Sequence, residues 1–218
     1  MRLRIGDVEV EYEVVLRPTR YVTIRVNPNG SLTVVSPVEG VDEILKRKAR
    51  WIRRQLAVVE EGKRLASQGF PLFGRFYKPV RCERTGVEGE SLCYSSLRAL
   101  ENFIRNSLKE RIGEIVEDVS GVLGVRPRKV FIRVMRTRWG SCSGRGNVAI
   151  NLAAAALPFD LLHYLVTHEV AHLISPRHDG EFWSAVAKLH PDYREKRGVL
   201  KVWWVVVHVH ELWREVLG

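Results

Sequence analysis

LLHYLVTHEVAHLISPRHDGEFW, running from Leu161 to Trp183, is built around HEVAH. Residues four apart on an α-helix sit about 40° apart around its axis, one turn above the other. His168 and His172 can therefore present two imidazole nitrogens to one ion. Glu169, about 100° round from His168, can reach a water on that ion. H-E-x-x-H at helical spacing is the arrangement of two zinc ligands and a general base. Leu161, Leu162, Leu165, Val166, Leu173 and Ile174 supply an apolar face, Pro158 suits the first turn, and Asp160 favours the positive end. Ser175-Pro176 predicts a stop soon after His172.

A zinc hydrolase needs a third protein ligand and an open position for water. His178 is the leading candidate, provided the chain turns back at Ser175-Pro176-Arg177. The spacing of the three histidines equals that of H-E-x-x-H-x-x-G-x-x-H, but Ser175 stands where that pattern has Gly, so the turn must differ. Asp179 and Glu181 follow closely; either could replace His178 or hydrogen-bond a ligating imidazole. His163 lies on another helix face and reads as a surface or supporting group. Arg138, Tyr164, Arg177 and Tyr193 are candidate donors to a developing oxyanion, and no spacing selects among them.

Three blocks taken together resemble the YgjP-like metallopeptidase family, related to the WLM and SprT-type zinc proteases. They are RTRWGSCS (Arg136 to Ser143), NVAINLAAAALP (Asn147 to Pro158) and HEVAHLISPRHDGEFW (His168 to Trp183). RYVTIRVNPNGSLTVVSP, KARWIRRQL and FPLFGRFYKPV in the N-terminal half look like the same family, so the resemblance runs from about residue 10 to 197. It implies that His168, His172 and His178 bind one zinc ion and that Glu169 is the catalytic base. Arg138-Trp139-Gly140-Ser141 has two readings. It supports a strand edge or caps the metal cavity, or else Trp139 packs under the helix and Gly140 permits a bulge.

Hydrophobic residues at 45% and charged residues at 28% are those of a soluble globular protein. Charges interrupt the N-terminus, and no apolar run is long enough to span a membrane. The three cysteines, Cys82, Cys93 and Cys142, are odd in number and unpatterned, which predicts a cytoplasmic chain with no disulfide framework. A net charge of +10, with clusters at 46–54, 63–64 and 126–138, leaves nucleic acid or another polyanion as an alternative partner through a basic face.

Alternating residues 3–17, with a turn at Gly6-Asp7, and a hairpin about Asn27-Pro28-Asn29-Gly30 predict a small antiparallel β unit. A basic helix follows over 42–61, then a turn and short strand over 69–80. Residues 84–91 read as a loop and domain joint. Ser96 caps a helix predicted over 97–119 and ended at Gly121 to Pro127. Strands at 129–135 and 147–152 flank RTRWGSCSGRG, and a further helix is expected at 180–190. Residues 199–217 read as strand or helix packed on the core or a second subunit; His208 and His210 lack the partners for a second metal site. The expected fold is α+β: residues 1–90 form the β unit with its basic helix, and 91–218 a zincin-like catalytic domain.

The leading function is zinc-dependent hydrolysis of a protein or peptide by a metal-activated water. Two rivals remain: a metal-dependent hydrolase acting on a nucleotide phosphoanhydride, and a basic nucleic-acid-binding module with structural zinc. Three histidines and a glutamate, without a cysteine set, favour catalysis over a structural site. Nothing in the sequence sets an oligomeric state.

Overall fold

The structure, a computed structural model, describes residues 1–6 and 8–218. The expected Gly6-Asp7 turn falls on Asp7, outside the described residues. Beside it, β1 (Arg2–Ile5) pairs antiparallel with β2 (Val8–Leu16). β3 (Thr23–Val26) and β4 (Leu32–Ser36) form the expected hairpin, with the Asn27 N–H donating to the Ser31 carbonyl at 2.8 Å. The strands order β1-β2-β4-β3, and β2 runs parallel to β4. The sheet is thus mixed, which corrects the antiparallel unit expected above. A hairpin sequence specifies its own two strands, not which of them docks on a third. Here β4 docks, bringing Leu32 and Val34 onto the same core as Ile5, Val10 and Tyr12.

The single helix expected from residue 42 is two: α1 (Asp42–Arg47) and α2 (Ala49–Ala66), broken at Lys48 with neither Gly nor Pro to mark it. β5 (Phe70–Leu72), β6 (Arg75–Arg81), β7 (Gly86–Glu88) and β8 (Ser91–Tyr94) form a second sheet in the order β5-β6-β8-β7. Residues 84–91, expected as a loop, therefore carry strand. Cys82 and Cys93 are disulfide-bonded with Cα atoms 5.3 Å apart, which overturns the expectation of no disulfide. An interval of eleven residues does not announce this pairing. It follows from β6 and β8 lying side by side, with Val80 opposite Cys93.

α3 (Leu97–Leu123) starts where Ser96 accepts from the Ala99 N–H at 3.1 Å. It runs past Gly121 and stops at Gly124, which adopts the left-handed conformation that terminates helices. β9 (Lys129–Arg133), β10 (Gly140–Cys142) and β11 (Asn147–Asn151) form a third sheet, with β11 central, β9 parallel to it and β10 on its antiparallel edge. A 3-10 turn over Leu152–Ala156, entirely buried, leads into α4 (Phe159–Ala171). α5 (Gly180–Leu189), α6 (Tyr193–Val209) and α7 (Glu211–Leu217) complete the chain. The ambiguous C-terminal stretch is thus helical and packed on the core. Trp213 is fully buried, stacks on Phe70 at 5.0 Å and donates to the Pro71 carbonyl at 3.0 Å.

The larger apolar cluster gathers Leu100, Ile104 and Leu108 of α3, Leu162 and Val166 of α4, and Trp213 of α7. Leu92 of β8 joins it, so residue 90 falls in the turn of a hairpin packed on that cluster. α2 ties the N-terminal elements to α6. A Cβ added at Gly62 would lie 2.5 Å from the Val205 Cβ, an approach that only glycine permits. Among the described residues, no helix is long and apolar enough to cross a membrane.

α6 is held to α3 and α4 by a buried polar chain. Lys196 donates to Asp160, Asp192 and the Nδ1 of His190, each at 2.9 Å. An ammonium can only donate, so His190 Nδ1 accepts and its Nε2–H donates to His163 Nδ1 at 2.9 Å. His163 Nε2–H in turn donates to Asp118 at 2.9 Å. Both rings are thereby neutral and fixed in tautomer, which gives His163 its role. Burial, then the charge of Lys196, pushes His190 down from 6.5 to about 4. A histidine depressed on folding contributes stability above its unfolded value and loses it as pH falls toward the folded one. Thermal unfolding of wild type and His190→Gln should therefore show a gap that is widest above pH 6.5 and narrows toward pH 4. A gap independent of pH would contradict the neutral chain.

Candidate metal centre

α4 is buried on nearly every side: Leu161, Leu162, Tyr164 to Thr167 and Glu169 to Ala171 all lie inside. Pro158 sits just before the helix as its cap, one position earlier than expected. The last helical residue is Ala171, and His172 is the cap. The chain then turns, with the Ser175 N–H bonded back to the Ala171 carbonyl at 3.1 Å.

Ser175 closes the bend. It is 4% exposed, and its hydroxyl donates to the Asp179 carboxylate at 2.8 Å and lies 3.2 Å from the Arg177 carbonyl. Asp179 also caps α5, accepting from the Phe182 N–H at 3.0 Å. That backbone bond, then the Ser175 hydroxyl, holds the Asp179 carboxyl below the usual carboxylate range. Asp179 is thereby committed to the turn and to α5. Among the described residues, the group that could hold a metal is His168, His172 and His178, with ligand atoms within 4.8 Å of one another. Glu181 lies exposed in the first turn of α5, outside that group.

The rings of His168, His172 and His178 lie 4.8 to 5.2 Å apart. Phe182 packs against all three at 4.6 to 4.9 Å and forms the floor. His172 Nδ1–H donates to the Ser175 carbonyl at 3.3 Å, which turns its Nε2 toward the cluster. Trp183 stacks on His178 at 5.6 Å and donates from its indole N–H to the His178 carbonyl at 3.1 Å. The His168 Nε2 and His178 Nε2 face each other at 3.0 Å. Burial, together with the neighbouring histidines, drives His168 down to about 3. Burial, with Arg197 nearby, also lowers His178. Neutral imidazoles are what a metal requires, and tetrahedral zinc at its usual bond length separates two nitrogens by about 3.3 Å. The cluster fits one small divalent cation. His168 Nδ1 is buried without a hydrogen-bond partner.

Glu169 is 5% exposed, and burial pushes its carboxyl up to about 7 against the opposing pull of Arg138. It reaches across to β10. A Cβ added at Gly140 would lie 2.6 Å from Oε1 and 2.7 Å from Cδ and Cγ. Gly140 is thus part of the site because its missing side chain leaves room for the carboxyl. Trp139 packs on the larger apolar cluster and edge-on against Trp204 of α6 at 5.1 Å.

The loop carrying Arg138 and Trp139 is pinned by Asn151, which sequence reasoning missed. Its fully buried amide donates to the carbonyls of Met135 at 2.7 Å and Arg138 at 2.8 Å. Its own N–H donates to the Trp139 carbonyl at 2.7 Å. A polar residue between the apolar runs Val148 to Ile150 and Leu152 to Leu157 was the available signal.

His168 and Glu169 open onto a cavity of about 760 Å³ between β3, α2, the Arg138 loop and α6. Of the four candidate oxyanion donors, Arg138 and Tyr164 line it. Tyr164 is 1% exposed, and burial pushes its phenol up to about 12. Tyr193 instead stacks on Trp183 at 4.6 Å, and Arg177 is exposed on the bend. His208 and His210 lie at the end of α6, where His208 donates to the Trp204 carbonyl at 2.7 Å and His210 packs on Phe70.

A family model described as the YgjP-like metallopeptidase domain matches residues 20–202. No match was found among curated proteins. Among solved structures, the metallopeptidase zymogen of Pyrococcus abyssi abylysin is similar over 41% of this chain and 90% of that one, at 24% identity and a TM-score of 0.39. The family match takes in the Arg138 loop, α4 and the three histidines, and the chain belongs to the YgjP-like metallopeptidase family.

Proposed function

We propose that the chain is a zinc-dependent peptidase in which His168, His172 and His178 hold the ion and Glu169 is the general base. The observation that carries this is the convergence of three imidazoles within 4.8 Å, beside a buried carboxyl that opens onto the same cavity. Family membership supports a metallopeptidase, and the all-nitrogen donor set suits zinc. When bound, zinc supplies Lewis acidity, polarising a carbonyl and making water more acidic.

The protein's own groups do the rest. Glu169 accepts a proton from the attacking water at its carboxylate and returns it to the departing amine. Burial raises that carboxyl above its hydrated value, which strengthens its hold on the proton it takes from water. Among the described residues β10 is an edge strand of its sheet and Glu169 packs over its Gly140, so an extended peptide can form backbone hydrogen bonds along that edge. Arg138 and Tyr164 line the cavity and can each donate to the oxygen that gains charge.

Zinc content and cleavage of an unfolded protein, measured for wild type and Glu169→Gln, test this reading. Both proteins should hold one ion, while cleavage falls about 10²- to 10⁴-fold in the variant. Equal cleavage would remove Glu169 from the chemistry. His178→Ala should fail to retain zinc at concentrations that saturate the wild type; full retention would remove the third ligand.

Gly140→Ala places a methyl where the Glu169 carboxyl lies. With zinc retained, kcat should fall about 100-fold, the effect of misplacing a reacting group by about 1 Å. Gly144→Ala is the control, since its methyl would meet nothing within 4 Å. If the two variants behave alike, Gly140 does not position Glu169.

A further inference from the structure

α6 lines one wall of the cavity with Arg194, Arg197 and Lys201. Their spacing of three and then four residues puts them on one helix face. Arg25 of β3 and Arg138 face the same space. All five are exposed, and among the described residues Glu169 is the only acidic one lining the cavity.

Elsewhere on the surface, several cations have acidic partners. Lys46 pairs with Glu43, Lys63 with Glu60, Arg64 with Glu61, and Arg126 with Glu117. Among the described residues, none of the five cavity cations has an ion-pair partner. Like charges one turn apart on a helix repel, so the α6 row is unfavourable until an anion reaches it.

The row also touches the metal centre. The Arg197 guanidinium lies over the Trp183 ring, 5.0 Å from its centre, and the same ring stacks on His178. Arg197 is therefore one ring away from the histidine cluster. From Arg194 to Lys201 the row spans about 10 Å along the helix. One terminal carboxylate would engage only part of it. In an extended peptide, alternate side chains point the same way at roughly 6.6 Å intervals, so two acidic side chains two residues apart match the row.

We propose that Arg194, Arg197 and Lys201, with Arg138 and Arg25 opposite, form a specificity subsite for acidic side chains of a peptide held in the cavity. This rests on the peptidase reading above. Arg197 is the inner determinant, next to the scissile bond, and Lys201 and Arg194 are the outer ones.

Two tests on the zinc-loaded full chain separate the subsite from the chemistry. Cleavage of fluorogenic peptides identical except for paired Asp or paired Lys should favour the acidic peptide by at least about tenfold in kcat/KM at low salt. The preference should shrink as salt screens exposed charge. Lys201→Glu and Arg194→Glu, with zinc content checked in each, should reduce or reverse it; Arg197→Glu should do so most strongly. Fluorescence anisotropy of zinc-loaded Glu169→Gln with the same labelled peptides reads binding alone and should show the same order. Equal binding of the two peptides, or a preference indifferent to charge reversal, overturns the subsite. Selective binding without cleavage by the wild type would leave the subsite standing and sink the peptidase reading. If a nucleoside triphosphate or duplex DNA displaces the acidic peptide at concentrations well below the peptide's own Kd, the row serves phosphates and the proposal is wrong.

Discussion

The bend between His172 and His178 is the constraint on which the site depends. Two histidines one turn apart come with any helix; the third must be returned to them by a chain that has just stopped being helical. The buried Ser175 hydroxyl and the Asp179 carboxylate make that return definite. Asp179 then caps α5, so the residue that closes the bend also starts the helix that carries Phe182 and Trp183. Those two rings form the floor and one side of the histidine cluster. One short hydrogen-bonded turn thus fixes the third imidazole, the floor beneath it and the aromatic contact leading to Arg197.

A second constraint faces it across α4. Glu169 lies on a buried helix and can approach the cavity only because β10 presents no side chain at Gly140. The same burial that demands this space raises the carboxyl toward neutral pH. Packing and proton affinity are therefore one property of this residue. The Arg138 loop that brings β10 into place is held by Asn151, whose hydrogen bonds replace those that a loop in this position would otherwise lack.

Much of the centre was legible because its spacing is local. HEVAH, the Ser175-Pro176 stop and the returning His178 lie within a dozen residues, so helical periodicity and one turn suffice to place them. What depended on distant pairing was not legible. The Cys82–Cys93 bond and the parallel docking of β4 on β2 are set by strand neighbours that no local pattern names. VWWVVVHV at residues 202–209 has strand-like composition yet is helical, because Trp203, Val206 and Val207 join the core on one side of α6. The basic row on that helix reads in sequence as ordinary surface charge. Only the fold shows Arg197 against Trp183 and facing the same cavity as Glu169.

X-ray absorption at the zinc edge, on full-length chain loaded with one equivalent of the metal, reports most directly on the claim that three imidazoles share one ion. The expected spectrum shows three imidazole nitrogens at about 2.0–2.1 Å and a remaining light atom from solvent. A sulfur ligand from Cys142, or a shell with two imidazoles or fewer, would contradict it.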